Sequence, residues 1–228
     1  MWNAVSDKDK NDSDFTGFLV QTDYQAKQTG FIQPYADSPM DHEQVGEEVY
    51  ISMVNKAEKY CWFMTPYLII TDEMSHALCL AAKRGVDVRI ITPGIPDKKM
   101  IYNITRSFYH GLVKHGVRIY EWTPGFCHAK MSVADDCMAT CGTINLDYRS
   151  LYHHFENGCF MADCDAVADI RADFERMMAQ SRQAVLDIRN DLAATMDECR
   201  EVTEQYSTGR SAYLRLGQLF MRLFAGLL

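Results

Sequence analysis

Apolar residues recur at regular spacings along most of the chain. Between residues 41 and 60 they return every four positions, at Val45, Val49, Met53 and Ala57. This spacing predicts an amphipathic helix with one apolar face. An apolar run follows over 60–70. It is shorter than the roughly 20 residues that a helix needs to cross a bilayer, so it predicts a buried strand.

The middle of the chain alternates predicted helices and strands. Thr71 or Asp72 can cap a helix that reaches Arg84, and Gly85 is a suitable residue to end it. The other predicted elements are a strand over 86–92, a helix over 97–115, strands over 117–122 and 158–162, and a helix from 165 to about 204. Alternation of this kind predicts an α/β sandwich with a mixed β-sheet flanked by helices.

The two ends of the chain differ from this central part. Residues 1–28 are rich in Asp, Lys, Ser and Gln and predict a polar linker, which leaves 29–205 as the folded domain. The final segment, 206–228, predicts an amphipathic tail with an apolar stripe, two arginines off that stripe and no acid over 212–228. Such a helix suits the surface of an anionic membrane. The alternative is a helix packed on the domain or on a missing partner half.

Composition and charge narrow the function classes. The chain has 228 residues, enough for one sizeable domain, and a net charge of -8. An acidic chain is a poor candidate for sequence-independent nucleic-acid binding, so we expect no nucleic acid among its partners. The 8 cysteines include no C-x-x-C pair and no metal-ligand spacing, and nothing in the sequence requires a metal or cofactor. Buried free thiols are the favoured interpretation.

One cluster of polar residues has a spacing that predicts chemistry. His128 and Lys130 are two residues apart, which places them on one face of a strand, and a return strand over 137–143 can follow a turn at Asp135. That hairpin would bring Asn145 beside the first pair. Lys130 then supplies a charge and Asn145 an amide donor to the oxygens of a phosphate diester. His128 is free to attack phosphorus or to transfer a proton.

The full pattern, H-x-K-x4-D-x6-G-[ST]-x-N, is the signature (the HKD motif) of the phospholipase D superfamily, and residues 128–145 fill every defined position. The chain from about residue 30 to 228 also resembles the carboxyl-terminal half of bacterial cardiolipin synthases. The resembling segments are 31–39, 65–70, 81–90, 95–99, 120–125, 145–156 and 222–228. Those enzymes carry two motifs on one chain, and we find one here. Full-length members also have amino-terminal membrane spans, so we expect a chain that corresponds to one half of the two-lobed enzyme.

The resemblance implies a role for each motif residue. The catalytic set would comprise His128, Lys130, Asn145, Glu156 and Asp135. Glu156 would accept a hydrogen bond from the far ring nitrogen of His128 and so hold its tautomer. Asp135 belongs to the motif, but its place at the hairpin end predicts that it binds turn amides.

Several nearby residues have two interpretations. Thr143 either donates its hydroxyl to the substrate phosphate, with Lys130 and Asn145, or packs the turn. Arg149 pairs either with a lipid phosphate or with Asp147. His153 and His154 are expected at the rim rather than as ligands. Tyr67, Phe126 and Trp122 either line an acyl or glycerol cleft or belong to the core.

The function implied by the resemblance is phosphatidyl transfer at the bacterial inner membrane. Cardiolipin would form from two phosphatidylglycerols through a phosphatidyl-histidine, with His128 as general acid and base. The partners would be phospholipids, the membrane surface and a second HKD half-site, from a missing amino-terminal half or a second copy. The alternatives are a homodimeric phosphodiesterase or nuclease and an inactive truncated half.

Overall fold

The computed structural model describes residues 16–18, 23 and 25–183. The strands are β1 (Phe31–Asp37), β2 (Tyr60–Met64), β3 (Leu68–Ile69), β4 (Asp87–Pro93), β5 (Arg118–Trp122), β6 (Met131–Ala134), β7 (Met138–Gly142), β8 (Leu146–Asp147), β9 (Glu156–Ala162) and β10 (Ser181–Gln183). The α-helices are α1 (Val45–Lys56), α2 (Asp72–Lys83), α3 (Lys99–Val113), α4 (Tyr148–His153) and α5 (Asp165–Gln180), and a 3₁₀ turn spans Thr16–Phe18.

A mixed sheet forms the centre of the fold. Within the described residues it has 8 strands in the order β1-β9-β7-β6-β2-β4-β5-β10, while β3 and β8 pair separately in a 2-stranded sheet. The pairs β2–β4 and β4–β5 are parallel, and the remaining pairs of the large sheet are antiparallel. The prediction of an α/β sandwich with a mixed sheet is confirmed.

Helices cover both faces of the sheet. Apolar residues of α1, α2 and α3 form the larger core cluster on one face, around the fully buried Phe63 and Ile90. On the other face α5 contributes Val167 and Phe174 to a smaller cluster with Trp62. Burial of this apolar surface is the main force that holds the helices on the sheet.

The predicted boundaries of α2 and α3 follow from residues that start and stop helices. The Thr71 hydroxyl accepts a hydrogen bond from the Met74 amide at 3.0 Å and caps α2. Gly85 and Gly116 follow the two helices and both have φ of +97°, a left-handed conformation in which glycine is not strained. Gly85 is therefore confirmed as the residue that ends α2, and Gly116 follows α3 in the same conformation.

Several predicted elements are different in the structure. The apolar run over 60–70 is divided between β2 and β3, because Pro66 has no amide hydrogen for a strand ladder, and the Thr65 hydroxyl donates to the Tyr67 carbonyl at 2.7 Å. The helix predicted from 165 to about 204 ends at Gln180, and β10 then pairs with β5. β1 and α4 were not predicted, since β1 is an edge strand without clear alternation and α4 has 6 residues.

The domain boundaries stay predictions. The structure describes only parts of the predicted linker over 1–28. The predicted tail over 206–228 lies outside the described residues. In the described part of the chain, no helix combines the length and apolarity that a membrane span needs.

Candidate active site

A tight β-hairpin brings the two ends of the motif together. β6 and β7 are joined by Asp135, Asp136 and Cys137, and φ values of +51° and +60° at the two aspartates suit the turn type found in tight hairpins. At the other end of the hairpin, the Gly142 amide donates to the Lys130 carbonyl at 3.2 Å. The pairing thus extends one residue beyond β6, and residues after Gly142 lie beside the His128–Lys130 segment. The predicted turn and return strand are confirmed.

His128 and Lys130 themselves are not part of a strand. Both lie in an extended segment that ends where β6 begins. Their side chains diverge in burial: Lys130 is buried, whereas His128 is exposed. The pair therefore does not lie in a strand as predicted, because the ladder closes only at Lys130, but the two side chains do meet, with the Lys130 ammonium 3.1 Å from His128 Nδ1.

Gly142 has a steric reason to be glycine. A Cβ at this position would lie 2.4 Å from the Asn157 carbonyl oxygen and 2.7 Å from the Cα of Gly158. β7 and β9 therefore approach too closely for any side chain at this point. The close approach brings Glu156, at the start of β9, to the same end of the sheet as Lys130.

Lys130 and His128 are in direct contact. The Lys130 ammonium donates to the His128 carbonyl at 2.6 Å and lies 3.1 Å from His128 Nδ1. Because a charged ammonium has no acceptor, Nδ1 must accept, and the neutral ring then carries its proton on Nε2. The ring stacks on Phe126 with centroids 5.7 Å apart. His128 thus presents an N–H donor at an exposed position.

The charges of the site shift two pKa values. Partial desolvation and the charge of Lys130 lower the pKa of His128, and Asp97 acts in the opposite direction. Burial likewise lowers the pKa of Lys130, which the nearby carboxylates of Glu156 and Asp147 counteract. A lowered pKa favours the neutral ring at pH 7, so His128 is available to accept a proton.

Asn145 and Glu156 are linked through Ser150. The Ser150 hydroxyl accepts from the backbone amide of Asn145 at 2.8 Å and donates to Glu156 Oε1 at 2.7 Å. Asn145 Oδ1 is buried and has no hydrogen-bond partner among the described residues. A buried polar atom without a partner is costly, and because Oδ1 is an acceptor only a donor such as a hydroxyl would satisfy it, whereas phosphoryl oxygens need the NH₂ end of the amide.

Glu156 does not make the contact predicted for it. Instead of the His128 ring it binds Ser150, and it lies 3.6 Å from Nδ1 of His154. The expected Glu156–His128 hydrogen bond is absent because Nδ1 of His128 faces Lys130. Glu156 influences the site through the charge of Lys130, and its role in catalysis stays a prediction.

Asp135 has a structural environment. Its two carboxylate oxygens accept hydrogen bonds from the backbone amides of Glu58, Lys59 and Tyr60 at 2.7, 2.9 and 2.8 Å. These bonds join the hairpin turn to the start of β2. The prediction that Asp135 binds backbone amides agrees with this geometry. The bound amides, however, belong to residues 58–60 rather than to its own turn.

Two further site residues use their polar groups within the protein. The Thr143 hydroxyl donates to the Asn157 carbonyl at 3.2 Å and accepts from the Asn157 amide at 3.0 Å, which favours packing of the turn over phosphate binding. Asp147 caps α4 by accepting from the Ser150 amide at 2.8 Å. Burial raises the pKa of Asp147. Among the described residues, the hydrogen-bond partners of Asp147 do not include the side chain of Arg149, with which it was predicted to pair.

Sequence reasoning missed two participants. Ser150 joins Asn145 to Glu156, and Asp97 accepts from the Tyr67 hydroxyl at 2.6 Å close to His128. Ser150 had a detectable signal, since an Asp three residues earlier is a common N-cap arrangement. Asp97 had none, because it lies 30 residues from Tyr67 in the sequence.

Comparison with known proteins identifies the family. The family model described as cardiolipin synthase, PLD-like domain, matches residues 50–178. The chain belongs to this family. It is 35% identical over 158 residues to cardiolipin synthase 2 of Bacillus anthracis, covering 69% of this chain and 31% of that protein. An uncharacterized protein of Streptococcus mutans is 51% identical over 183 residues, 80% of this chain and 39% of that one. The chain thus spans less than half of either relative.

Solved structures support the fold. Nuc of Salmonella typhimurium, described as a phospholipase D family member, superposes with a TM-score of 0.58 at 16% identity and covers 68% of this chain and 98% of its own. Phosphatidylserine synthase of Haemophilus influenzae superposes with a TM-score of 0.55 at 14% identity, over 77% of this chain and 46% of its own. Both likenesses establish a phospholipase D fold for the described domain.

Proposed function

We propose that this domain supplies one HKD half-site of a phosphatidyltransferase that makes cardiolipin from two phosphatidylglycerols at the membrane. The observation that carries the proposal is the contact between a buried lysine, Lys130, and an exposed histidine, His128. Family membership supports the choice of phospholipid as substrate.

The chemistry would proceed in two displacements. A histidine of the second half-site attacks phosphorus, the bond to the departing glycerol breaks, and His128 in its imidazolium form gives a proton to that glycerol oxygen and becomes neutral. His128 then takes the proton from the hydroxyl of a second phosphatidylglycerol. That oxygen attacks phosphorus and releases the histidine, giving cardiolipin. Covalent catalysis of this kind replaces one difficult displacement by two easier ones.

The assignment of His128 to proton transfer has local support. Its Nδ1 faces the Lys130 ammonium, so Nε2 is the ring nitrogen that is open to a reacting group. The N–H of a neutral imidazole is a very weak acid, so the general acid would be the imidazolium, which returns to the neutral base when it has given its proton. Lys130 and Asn145 would offset charge on the phosphoryl oxygens. Thr143 and Glu156 would act behind them as positioning residues.

The second half-site would come from another HKD domain. The proposed mechanism needs two histidines, and this sequence contains one motif. A second candidate function is a phosphodiesterase in which two copies of this chain complete the site. The likeness to Nuc supports this candidate, because the match to this domain covers 98% of the Nuc chain.

Reconstitution separates these functions. Labelled phosphatidylglycerol in vesicles is supplied to the purified chain alone, and to the chain mixed with an amino-terminal half of a bacterial cardiolipin synthase that carries the first motif. We expect cardiolipin and free glycerol only in the mixture. The matched control is the same amino-terminal half with its motif histidine changed to alanine.

Each other outcome has a defined meaning. Phosphatidic acid released by the chain alone, in proportion to its dimer fraction, would support the phosphodiesterase. Lack of turnover in every combination, with the complex verified by its molar mass, would contradict the transferase and favour an inactive half.

A further inference from the structure

Exposed apolar side chains occur in two segments of the chain next to the candidate site. Ile95, Met100 and Phe126 are large apolar residues with 46%, 48% and 44% of their surface exposed. Together with the exposed Lys98 and Lys99 we call them the site rim. Isolated exposed apolar residues are common on proteins, so the significance of these three depends on their position.

The rim residues come from two loops that are joined beside the site. The loop before α3 carries Ile95 and Lys98, the first two residues of α3 are Lys99 and Met100, and the loop after β5 carries Phe126. The Gly94 amide donates to the Trp122 carbonyl at 2.7 Å and holds the two loops together.

Both loops are also anchored close to the motif. The Phe126 ring stacks on the ring of His128. In the other loop, Asp97 accepts from the Tyr67 hydroxyl at 2.6 Å. Phe126 therefore lies against His128, and Ile95 and Met100 flank Asp97, whose charge acts on the same ring.

The charge of the rim is opposite to that of the whole protein. Lys98 and Lys99 are exposed, while the net charge of the chain is -8. The one acid between Ile95 and Met100 is Asp97, and its two oxygens already accept from the Tyr67 hydroxyl and the Lys98 amide. Two lysines beside three apolar side chains complement a surface that has anionic groups above hydrocarbon.

We propose that the site rim docks on an anionic phospholipid surface. The apolar side chains would enter the boundary between head groups and acyl chains, and the lysines would bind lipid phosphates. In that position His128, which contacts Phe126, would lie at the depth of the head-group phosphates. The inference rests on the proposed function for its choice of lipid, but membrane docking itself requires no turnover.

Vesicle flotation of the full chain tests the apolar part. The rim variant combines Ile95→Gln, Met100→Gln and Phe126→Ser. Its matched control combines Phe31→Ser, Ile32→Gln and Leu80→Gln, which are exposed apolar residues at the far end of β1 and on α2. With phosphatidylglycerol vesicles we expect the rim variant to lose binding at least about tenfold, and the control to bind like the original chain. Equal binding by both variants would overturn the proposal.

The electrostatic part has its own comparison. Lys98→Gln with Lys99→Gln should weaken binding at least about fivefold, whereas Lys56→Gln with Lys83→Gln should not. Lys56 and Lys83 are exposed lysines at the ends of α1 and α2. Vesicles of phosphatidylcholine should bind the original chain and both lysine variants weakly. Strong binding of the original chain to phosphatidylcholine would contradict an electrostatic contribution.

Hydrogen exchange locates the contact. In the original chain, phosphatidylglycerol vesicles should slow amide exchange in 94–100 and 122–127. Protection confined to 212–228 would assign membrane binding to the tail and reject the rim. Protection of the rim without vesicles, increasing with protein concentration, would show that a second copy covers it and would also reject the proposal. Because none of these measurements requires catalysis, an inactive protein that docks through its rim would refute only the proposed function.

Discussion

The two ends of the β6–β7 hairpin use motif residues in opposite ways. At the turn, the carboxylate of Asp135 is fully engaged by three backbone amides. At the open end, His128 presents an exposed ring nitrogen and Asn145 has a buried oxygen without a partner. A motif residue whose donors and acceptors are all hydrogen-bonded within the protein stabilises the fold. A motif residue with an unpaired donor or acceptor is available to a ligand.

The largest expected effect concerns the open end. His128→Ala should lower the transferase rate of the reconstituted enzyme at least about a thousandfold, because general acid–base catalysis contributes about 10² to 10⁴-fold. Its free energy of unfolding should change by less than about 0.5 kcal/mol, since the side chain is exposed. The checks are the turnover assay and urea unfolding. His76→Ala, at an exposed position on α2, is the control and should retain the original rate.

The opposite result is expected at the turn. Asp135→Ala should lower the free energy of unfolding by about 2 kcal/mol, because three amides lose a charged acceptor and alanine is strained at φ of +51°. Asp135→Asn should cost less, since asparagine tolerates that conformation and keeps one acceptor oxygen. Chemical denaturation measures both. A rate per folded molecule that falls a hundredfold in either variant would break the distinction between the two ends.

A smaller effect is expected for Glu156→Gln. Glutamine keeps an oxygen for the Ser150 hydroxyl, so the fold should persist. The change removes a negative charge that raises the pKa of Lys130, and we expect the rate to fall by about tenfold, equivalent to about 1.4 kcal/mol. Steady-state kinetics and a circular dichroism melt measure the two quantities. An unchanged rate would remove Glu156 from the site.

The smallest effect is a change in one titration. Lys130→Met should raise the pKa of His128, because it removes a positive charge that disfavours the imidazolium. The ring-proton NMR shift of His128, followed against pH, measures this directly, and His76 in the same spectra serves as an internal reference. A lower pKa for His128 in the variant would show that the contact of Lys130 with the ring does not determine its protonation.

Local elements of the fold were predictable because short-range patterns specify them. The cap at Thr71 and the turn at Asp135–Asp136 each follow from residues a few positions apart. The split of the 60–70 run into β2 and β3 was not predictable. It depends on pairing between Leu68–Ile69 and Leu146–Asp147, which are far apart in the sequence.

By itself the sequence determined the motif, the hairpin that displays it and the mixed α/β sheet, because these depend on spacing, turn chemistry and apolar periodicity. Only the tertiary structure decided which groups meet: Glu156 with Ser150, Asp97 with Tyr67, and Lys130 with Nδ1 of His128. Hydrogen bonds form over about 3 Å and desolvation varies over similar distances. Both depend on how β9 and the loops pack beside the hairpin, which no periodicity in the sequence encodes.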